Sequence, residues 1–243
     1  MRASDFRSQS FKRVEQDTER QRTGMDKEQQ HWIAELRQFT VCQLADALGA
    51  SCAVETSIFP IDPRFRTCGS ALTVECAPGD NLTVHHALHL AQPGDVLIVA
   101  GAHDCDGALW GELMSISAQS IGMAGTIIDG PVRDPLEIRT LGYPVFCRQF
   151  NPRRATKETY GRINVSIRIG SLSIAPKDFV LADANGIVNI PRDRVREAVE
   201  LASEVARKEN NIKDEILLGR TIFDIFNLDQ HLTTTQQRPA KTK

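Results

Sequence analysis

The sequence predicts an α/β fold with mixed sheet content, and three observations carry that prediction. The run Val96-Leu97-Ile98-Val99-Ala100 is continuously apolar, as expected of a strand buried on both faces. Helical and strand patterns alternate as far as Cys147, the order expected of helices laid over a largely parallel sheet. From Asn164 onward the period changes to short strands divided by turns.

Each element has its own signal. Residues 1–30 are polar with mixed charge and almost no periodic hydrophobes, which reads as a solvated arm, partly helical, or as an oligomer contact. Over residues 32–48, Ile33, Leu36, Phe39, Val41, Leu44, Ala47 and Leu48 recur near helical spacing, and Gly49 is placed to end that helix. Residues 70–76 alternate as a strand, Pro78-Gly79-Asp80 turns, and residues 81–91 form a helix. Pro93-Gly94-Asp95 then leads into the apolar strand at 96–100. A helix at 109–121, a strand at 125–129, a turn at Gly130-Pro131, a short helix through Leu141 and a buried strand at 144–147 follow. Short strands at 164–169, 172–174, 179–182 and 187–190 are separated by Gly170-Ser171, Pro176-Lys177-Asp178 and Asn185-Gly186, the last a strong tight-turn pair. Pro191 opens a long helix over 192–218, with Gly219 as its stop. No repeat or linker interrupts this order, so the expectation is one domain over 31–230 between an arm at 1–30 and a disordered tail at 231–243.

Composition narrows the function. A chain of 243 residues, 41% hydrophobic, buries a core without disulfide or metal staples. A net charge of −2 gives no bulk attraction to nucleic acid or acidic membranes, although a local basic patch stays open. No apolar stretch approaches the roughly 20 residues a membrane helix needs, and residues 1–30 lack the apolar core of a secretion signal, so a cytoplasmic location is expected. The cysteines at 42, 52, 68, 76, 105 and 147 include no Cys-x-x-Cys pair, so they read as free thiols rather than zinc ligands. Neither Gly-x-Gly-x-x-Gly nor a Walker loop occurs, leaving nucleotide and S-adenosylmethionine binding without support.

One stretch concentrates chemistry: Gly111-Glu112-Leu113-Met114, then Asp129-Gly130-Pro131-Val132-Arg133-Asp134, then Glu137. Gly111 stands near a helix start, where unpaired N–H groups and the dipole favour an anion and the absent side chain permits close approach. Arg133 and Asp134 stand just past a strand end, the position where α/β sheets place ligands. Asp134 is suited to hold a hard cation through oxygen, with Glu112 as a second carboxylate, and Arg133 to donate to a developing oxyanion. Chemistry alone leaves open that Arg133 and Asp134 are simply an ion pair at a helix start. His85 and His89 share one helix face at the spacing of a zinc pair, but no Glu follows the first His, and a solvated or interface role is the plainer reading. His103-Asp104-Cys105-Asp106 follows a strand end, and Arg148, Arg153 and Arg154 are candidates for a distal substrate carboxylate, with surface solvation as the default.

Six motifs considered together go further: Asp46-Ala47-Leu48-Gly49, Gly79-Asp80-Asn81, Pro93-Gly94-Asp95-Val96, Trp110-Gly111-Glu112-Leu113, the Asp129–Asp134 stretch, and Asp183-Ala184-Asn185-Gly186. Over residues 40–191 they resemble the RraA-like family, which includes regulators of ribonuclease E activity and class II 4-hydroxy-4-methyl-2-oxoglutarate/4-carboxy-4-hydroxy-2-oxoadipate aldolases. The aldolase branch has an acid, twenty intervening residues, then Arg-Asp, which Glu112, Arg133 and Asp134 match, and Glu137 matches an acid three residues later. The resemblance implies a swivelling β/β/α domain assembled as trimers or dimers of trimers. It implies Asp134 as the ligand of Mg²⁺ or Mn²⁺, with Glu112 acting on the metal through water. It implies that backbone N–H groups around Glu112, Leu113 and Met114, with Gly111, hold a pyruvyl carboxylate, and that Arg133 contacts the oxygen that becomes an enolate. Asp46 lines up with a carboxylate that reaches in from a neighbouring subunit, although the characterised aldolases have Glu there. The implied activity is metal-dependent cleavage of 4-hydroxy-2-oxo acids to pyruvate, with oxaloacetate decarboxylation beside it, on a small-molecule substrate and without nucleic acid or membrane. The alternative is a non-catalytic regulator that binds ribonuclease E or a similar partner. Regulators often lack the Asp after the Arg, so Asp134 favours an enzyme.

Overall fold

The structure is a computed structural model that describes residues 26–49, 52–54, 57–101, 105–230 and 232. Its helices are α1 (Lys27–Leu36), α2 (Val41–Leu48), α3 (Leu82–Leu90), α4 (Glu112–Ile121), α5 (Pro135–Leu141), α6 (Val195–Leu217) and α7 (Ile222–Ile225). Its strands are β1 (Ala53–Val54), β2 (Phe59–Pro60), β3 (Thr67–Glu75), β4 (Asp95–Ala100), β5 (Gly125–Val132), β6 (Val145–Phe150), β7 (Arg162–Ile163), β8 (Ile167–Ile169), β9 (Leu172–Ile174), β10 (Phe179–Asp183) and β11 (Gly186–Ile190).

The strand that the sequence marks most strongly sits mid-sheet. Every residue of β4 is buried, and the sheet runs β1-β11-β10-β3-β4-β5-β6-β2 with β7 on the flank of β3. β3 through β6 pair in parallel, while β1, β2, β7, β10 and β11 pair antiparallel, so the sheet is mixed as expected. β8 and β9 form a separate hairpin.

Strand alternation divides the apolar residues between two cores. On β10, Val180 and Ala182 join the larger cluster around Leu97, Ile98, Ile127 and Phe146. Phe179 and Leu181 join the second, which α1, α2 and α6 close with Leu36, Leu44, Ala198 and Ala202. All six cysteines are free thiols, and burial pushes Cys68, Cys76 and Cys147 up to about 12. Among the described residues no helix is long and apolar enough to cross a membrane.

Five expectations are corrected. The single helix expected over 32–48 is two helices. Thr40 begins α2 by accepting from the Gln43 N–H at 3.2 Å, while Gln43 Oε1 accepts from the Thr40 N–H at 3.0 Å. This capping box satisfies free helix donors locally and so favours a fresh start over continuation. α1 also starts earlier than expected: the Asp26 side chain caps it, and Gln29, assigned above to the arm, is buried. Residues 1–25 and 233–243, most of the expected arm and tail, lie outside the described residues. At Gly130-Pro131 there is no turn; β5 continues to Val132 across a register shift between Ile128 and Pro131. Proline has no N–H to give a ladder and is tolerated at such an irregularity. The helix expected from 109 begins at Glu112. The strand expected over 164–169 is reduced to β8 (Ile167–Ile169), which the left-handed backbone of Asn164 (φ 55°) separates from β7.

One carboxylate ties the loops together above the sheet. Asp80 is 2% exposed. Its Oδ2 accepts from the Glu158 N–H (2.6 Å), the Thr156 hydroxyl (2.7 Å) and the Thr159 N–H (3.0 Å), and its Oδ1 accepts from the Leu82 N–H (2.9 Å). The main chain reinforces this, with Thr156 N–H donating to Gly79 O at 2.8 Å and Asn81 N–H to Thr156 O at 3.0 Å. Burial alone would raise the Asp80 carboxyl, but the bonds from Glu158, Thr156, Leu82 and Thr159 outweigh it and hold it at about 2. A carboxyl lowered in the folded state contributes stability above its unfolded value, about 3.9, and loses that contribution as pH falls through its folded value. Asp80→Asn should therefore cost about 1–3 kcal/mol near neutral pH, and the gap from the parent should close between about pH 4 and pH 2. Denaturant midpoints across that range check it.

Candidate functional site

The segment after β4 builds the site by running alongside the end of β5. Leu109 N–H donates to Pro131 O and Arg133 N–H to Trp110 O, each at 3.0 Å. This pairing brings Gly111 against Arg133 and Asp134. A Cβ on Gly111 would stand 2.7 Å from Asp134 Oδ2, 3.0 Å from Arg133 Cγ and 3.1 Å from Arg133 Nε. Gly111 has extended backbone (φ −166°), so glycine is needed here for close approach and not for a left-handed turn.

α4 starts at this contact. The Trp110 indole donates to Ser115 Oγ at 2.8 Å, and the Ser115 hydroxyl to Gly111 O at 3.1 Å, which fixes the first turn. The Glu112 N–H donates to Asp134 Oδ2 at 3.2 Å, so the starts of α4 and α5 are joined through one carboxylate. Asp134 itself is left-handed (φ 58°, ψ 46°), a conformation that costs most L-residues about 1–2 kcal/mol and that Asp tolerates better than most.

Arg133 Nε lies 3.3 Å from Asp134 Oδ2, with the two side chains 31% and 34% exposed. This ion pair uses one atom of each group. The Arg133 Nη atoms and Asp134 Oδ1 have no hydrogen-bond or ion-pair partner among the described residues. Asp134 is not turned into the interior. With Arg133, Pro135, Phe150, Asn151 and Pro152 it lines a cavity of about 290 Å³. Arg133 also lines a second cavity of about 260 Å³, with Asn81, His85, Trp110, Gly111, Leu113, Met114, Arg154 and Lys157 among its walls. Burial first, and then the Lys157 charge, lower His85, so at neutral pH it offers a hydrogen bond and no charge.

Gly111, Leu113, Met114, Arg133 and Asp134 therefore meet in one place. Glu112 enters through its N–H; its side chain lines neither cavity. Glu137 is exposed on the first turn of α5, outside both cavities. Asp46 is exposed on α2, whose apolar face belongs to the second core, and it lines neither cavity of its own chain. His85 faces the 260 Å³ cavity and shares with His89 a separate hollow between α3 and α4, while His86 Nδ1 pairs with the Tyr160 hydroxyl at 2.5 Å. His103 and Asp104 lie outside the described residues. Cys105 is buried, and Asp106 pairs with Arg153 at 3.5 Å. Arg148 is taken up by Asp129 and Ser57, and of the three arginines suggested for a distal carboxylate Arg154 lines the 260 Å³ cavity. Sequence reasoning gave no role to Asn81 or Lys157. Asn81 lay inside a quoted motif, but Lys157 sits in an irregular segment that carries no periodic signal.

A family model described as RraA-like, Aldolase/RraA, matches residues 41–189, which span α2 through β11 and every residue of the site. The chain belongs to the RraA-like family. A relative in Halalkalibacterium halodurans, provisionally named as a 4-hydroxy-4-methyl-2-oxoglutarate aldolase, is 30% identical over 197 residues, covering 79% of this chain and 94% of the relative. Among solved structures, an uncharacterized protein from Pseudomonas syringae superposes with a TM-score of 0.71 at 27% identity, covering 82% of this chain and 96% of that one. The RNA-processing inhibitor RraA from a Thermus species superposes at 0.58, also at 27% identity, covering 63% and 92%. The expected RraA-like α/β fold is thus met, and the family's relatives carry the names of both an aldolase and an inhibitor.

Because RraA-like Gly111 admits no side chain without displacing Asp134 and Arg133, Gly111→Ala should lose about 1–3 kcal/mol of stability through overpacking. Chemical denaturation measures it, and an unchanged midpoint would mean that the two side chains give way freely.

Proposed function

We propose that this chain is a divalent-metal-dependent lyase that cleaves 4-hydroxy-2-oxo acids of the 4-hydroxy-4-methyl-2-oxoglutarate type to pyruvate and a second carbonyl product. One observation carries the reading: Arg133 and Asp134 line one cavity, Arg133 also lines a second that the first turn of α4 walls, and the Arg133 Nη atoms and Asp134 Oδ1 have no partner among the described residues. The name of the Halalkalibacterium relative supports the same reaction class.

The residues present fit a hard cation. Asp134 Oδ1 is uncommitted at a cavity wall, and the space that a Cβ on Gly111 would fill is kept open beside the same carboxylate. Magnesium keeps several waters and takes only one or two carboxylates, so Asp134 alone can anchor it; among the described residues no group of three or more His, Cys, Asp or Glu stands together. A divalent cation held by Asp134, with Mn²⁺ as the alternative, would supply Lewis-acid polarisation of the 2-oxo group.

The chain's own groups do the rest. First-turn N–H groups of α4 have no intrahelical acceptor; with the Glu112 N–H directed at Asp134, those of Leu113 and Met114 bind the pyruvyl carboxylate. When water takes the 4-hydroxyl proton, the C3–C4 bond breaks, C4 becomes a carbonyl, and the electron pair moves onto the C2 oxygen. The Arg133 Nη groups donate to that oxygen as it gains charge. Protonation at C3 from water then gives pyruvate. Loss of CO₂ from oxaloacetate passes through the same enolate, so decarboxylation belongs beside the cleavage. Leu113, 72% exposed, with exposed Ile116 and Leu136, gives the site an apolar rim that a neighbouring subunit of a homotrimer or hexamer would cover while bringing its Asp46.

Magnesium-dependent pyruvate release from oxaloacetate, coupled to lactate dehydrogenase, tests the reading. Arg133→Ala should lose at least about 10²–10³ in turnover with the fold intact, and Asp134→Ala should lose metal affinity together with rate. Near-normal release from both variants overturns the assignment. Absence of release from the parent, alongside tight binding to a ribonuclease, would instead make the chain a regulator like the Thermus neighbour. For the assembly, dilution below the association threshold should abolish turnover, read by activity beside sedimentation. A fully active monomer excludes the role given to Asp46.

A further inference from the structure

The cavity of about 290 Å³ is chemically two-sided. Arg133 and Asp134 form its charged side, and the rest of its lining is Pro135, Phe150, Asn151 and Pro152. The two prolines and the phenylalanine carry no hydrogen-bonding side chain. The Asn151 amide is engaged at both ends: its Nδ2 donates to Asp106 O and its Oδ1 accepts from the Arg153 N–H, each at 2.9 Å. Past Arg133 and Asp134, no polar side chain of the lining is therefore without a partner.

This apolar wall is set by backbone. Phe150 ends β6 opposite Val132, the last residue of β5, and the Asn151 N–H donates to Val132 O at 2.9 Å. That pairing puts Phe150 beside the residue that precedes Arg133. Pro135 opens α5 and Pro152 follows Asn151, and the proline ring fixes φ at each place. Phe150 is nevertheless 52% exposed. A large aromatic side chain beside a cavity gains free energy when an apolar group covers it.

Arg133 borders this cavity and also the one of about 260 Å³ that the first turn of α4 walls. We infer that the 290 Å³ cavity receives the substituent on C4 of the substrate, and that Phe150 is a specificity-determining residue that selects an apolar group larger than methyl there, a branched alkyl or aryl chain. This rests on the function proposed above, which sets the pyruvyl carboxylate at α4 and the C2 oxygen at Arg133, so that the C4 end lies beyond Arg133 on the Asp134 side. The bonds that change are those of the cleavage already described: water takes the 4-hydroxyl proton, C3–C4 breaks, and C3 gains a proton. Pyruvate is again one product, and the other is an aldehyde or ketone that carries the apolar chain.

Pyruvate release from the full chain with magnesium decides it, using 4-hydroxy-2-oxo-4-phenylbutanoate and 4-hydroxy-2-oxopentanoate. The two differ by a phenyl against a methyl group on C4. The parent should favour the phenyl compound in kcat/KM by on the order of tenfold. Phe150→Ala should remove most of that ratio, and Phe150→Leu should keep part of it. Thermal melts establish that the variants are folded. An equal or reversed ratio in the parent overturns the subsite, as does an unchanged ratio in a folded Phe150→Ala or Phe150→Leu chain. Oxaloacetate, which has no alkyl or aryl group on C4, separates the two readings. If the parent releases pyruvate from oxaloacetate but from neither hydroxy acid, the apolar subsite fails alone. If it releases pyruvate from none of the three, the lyase reading fails and the subsite fails with it.

Discussion

The site depends on a separation too short for a side chain. Gly111 and Asp134 come together because the segment after β4 hydrogen-bonds along the end of β5, and that register leaves no room for a Cβ. The same closeness lets the Glu112 N–H reach Asp134 Oδ2, so one carboxylate oxygen is spent on holding two helix starts together. The other oxygen has no partner among the described residues. A single aspartate thereby serves both as a structural tie and as a free acceptor at a cavity wall, and its left-handed backbone is part of how it does so.

Around this junction the electrostatics are divided. Asp134 faces one cavity, the cations of the 151–157 segment face another, and Arg133 borders both. Neither cavity is formed by one element alone. The walls come from the first turn of α4, the end of β5, the start of α3 and the irregular chain after β6, and Asp80 keeps the last two in step. That buried carboxylate is satisfied by four donors, which is why it stays ionised.

Much of this was legible in the sequence. The apolar run at Val96–Ala100 located the middle of the sheet because a doubly buried strand has no polar face to interrupt it. The spacing from Glu112 to Arg133-Asp134, read through the family resemblance, marked the candidate site, and the structure sets Arg133 and Asp134 against Gly111. Other features were hidden for physical reasons. Gly130-Pro131 looks like a turn because local propensity cannot see that a neighbouring strand tolerates a register shift there. Trp32 to Leu48 looks like one helix because the hydrophobic period continues through a capping box that interrupts it. Lys157 could not be assigned because its place over the cavity is set by Asp80, about eighty residues earlier in the chain, and no local pattern encodes that contact.

The segment around Lys157 has a consequence for how such proteins diversify. Its course is set by main-chain groups meeting Gly79, Asn81 and Ala108 and by the Asp80 carboxylate, bonds in which the side chains of Arg154 and Lys157 take no part. Arg154 and Lys157 can therefore be exchanged by mutation with little effect on the scaffold beneath them. Side chains that face the 260 Å³ cavity from this segment are therefore free to vary while the frame that sets Arg133 and Asp134 beside Gly111 is kept.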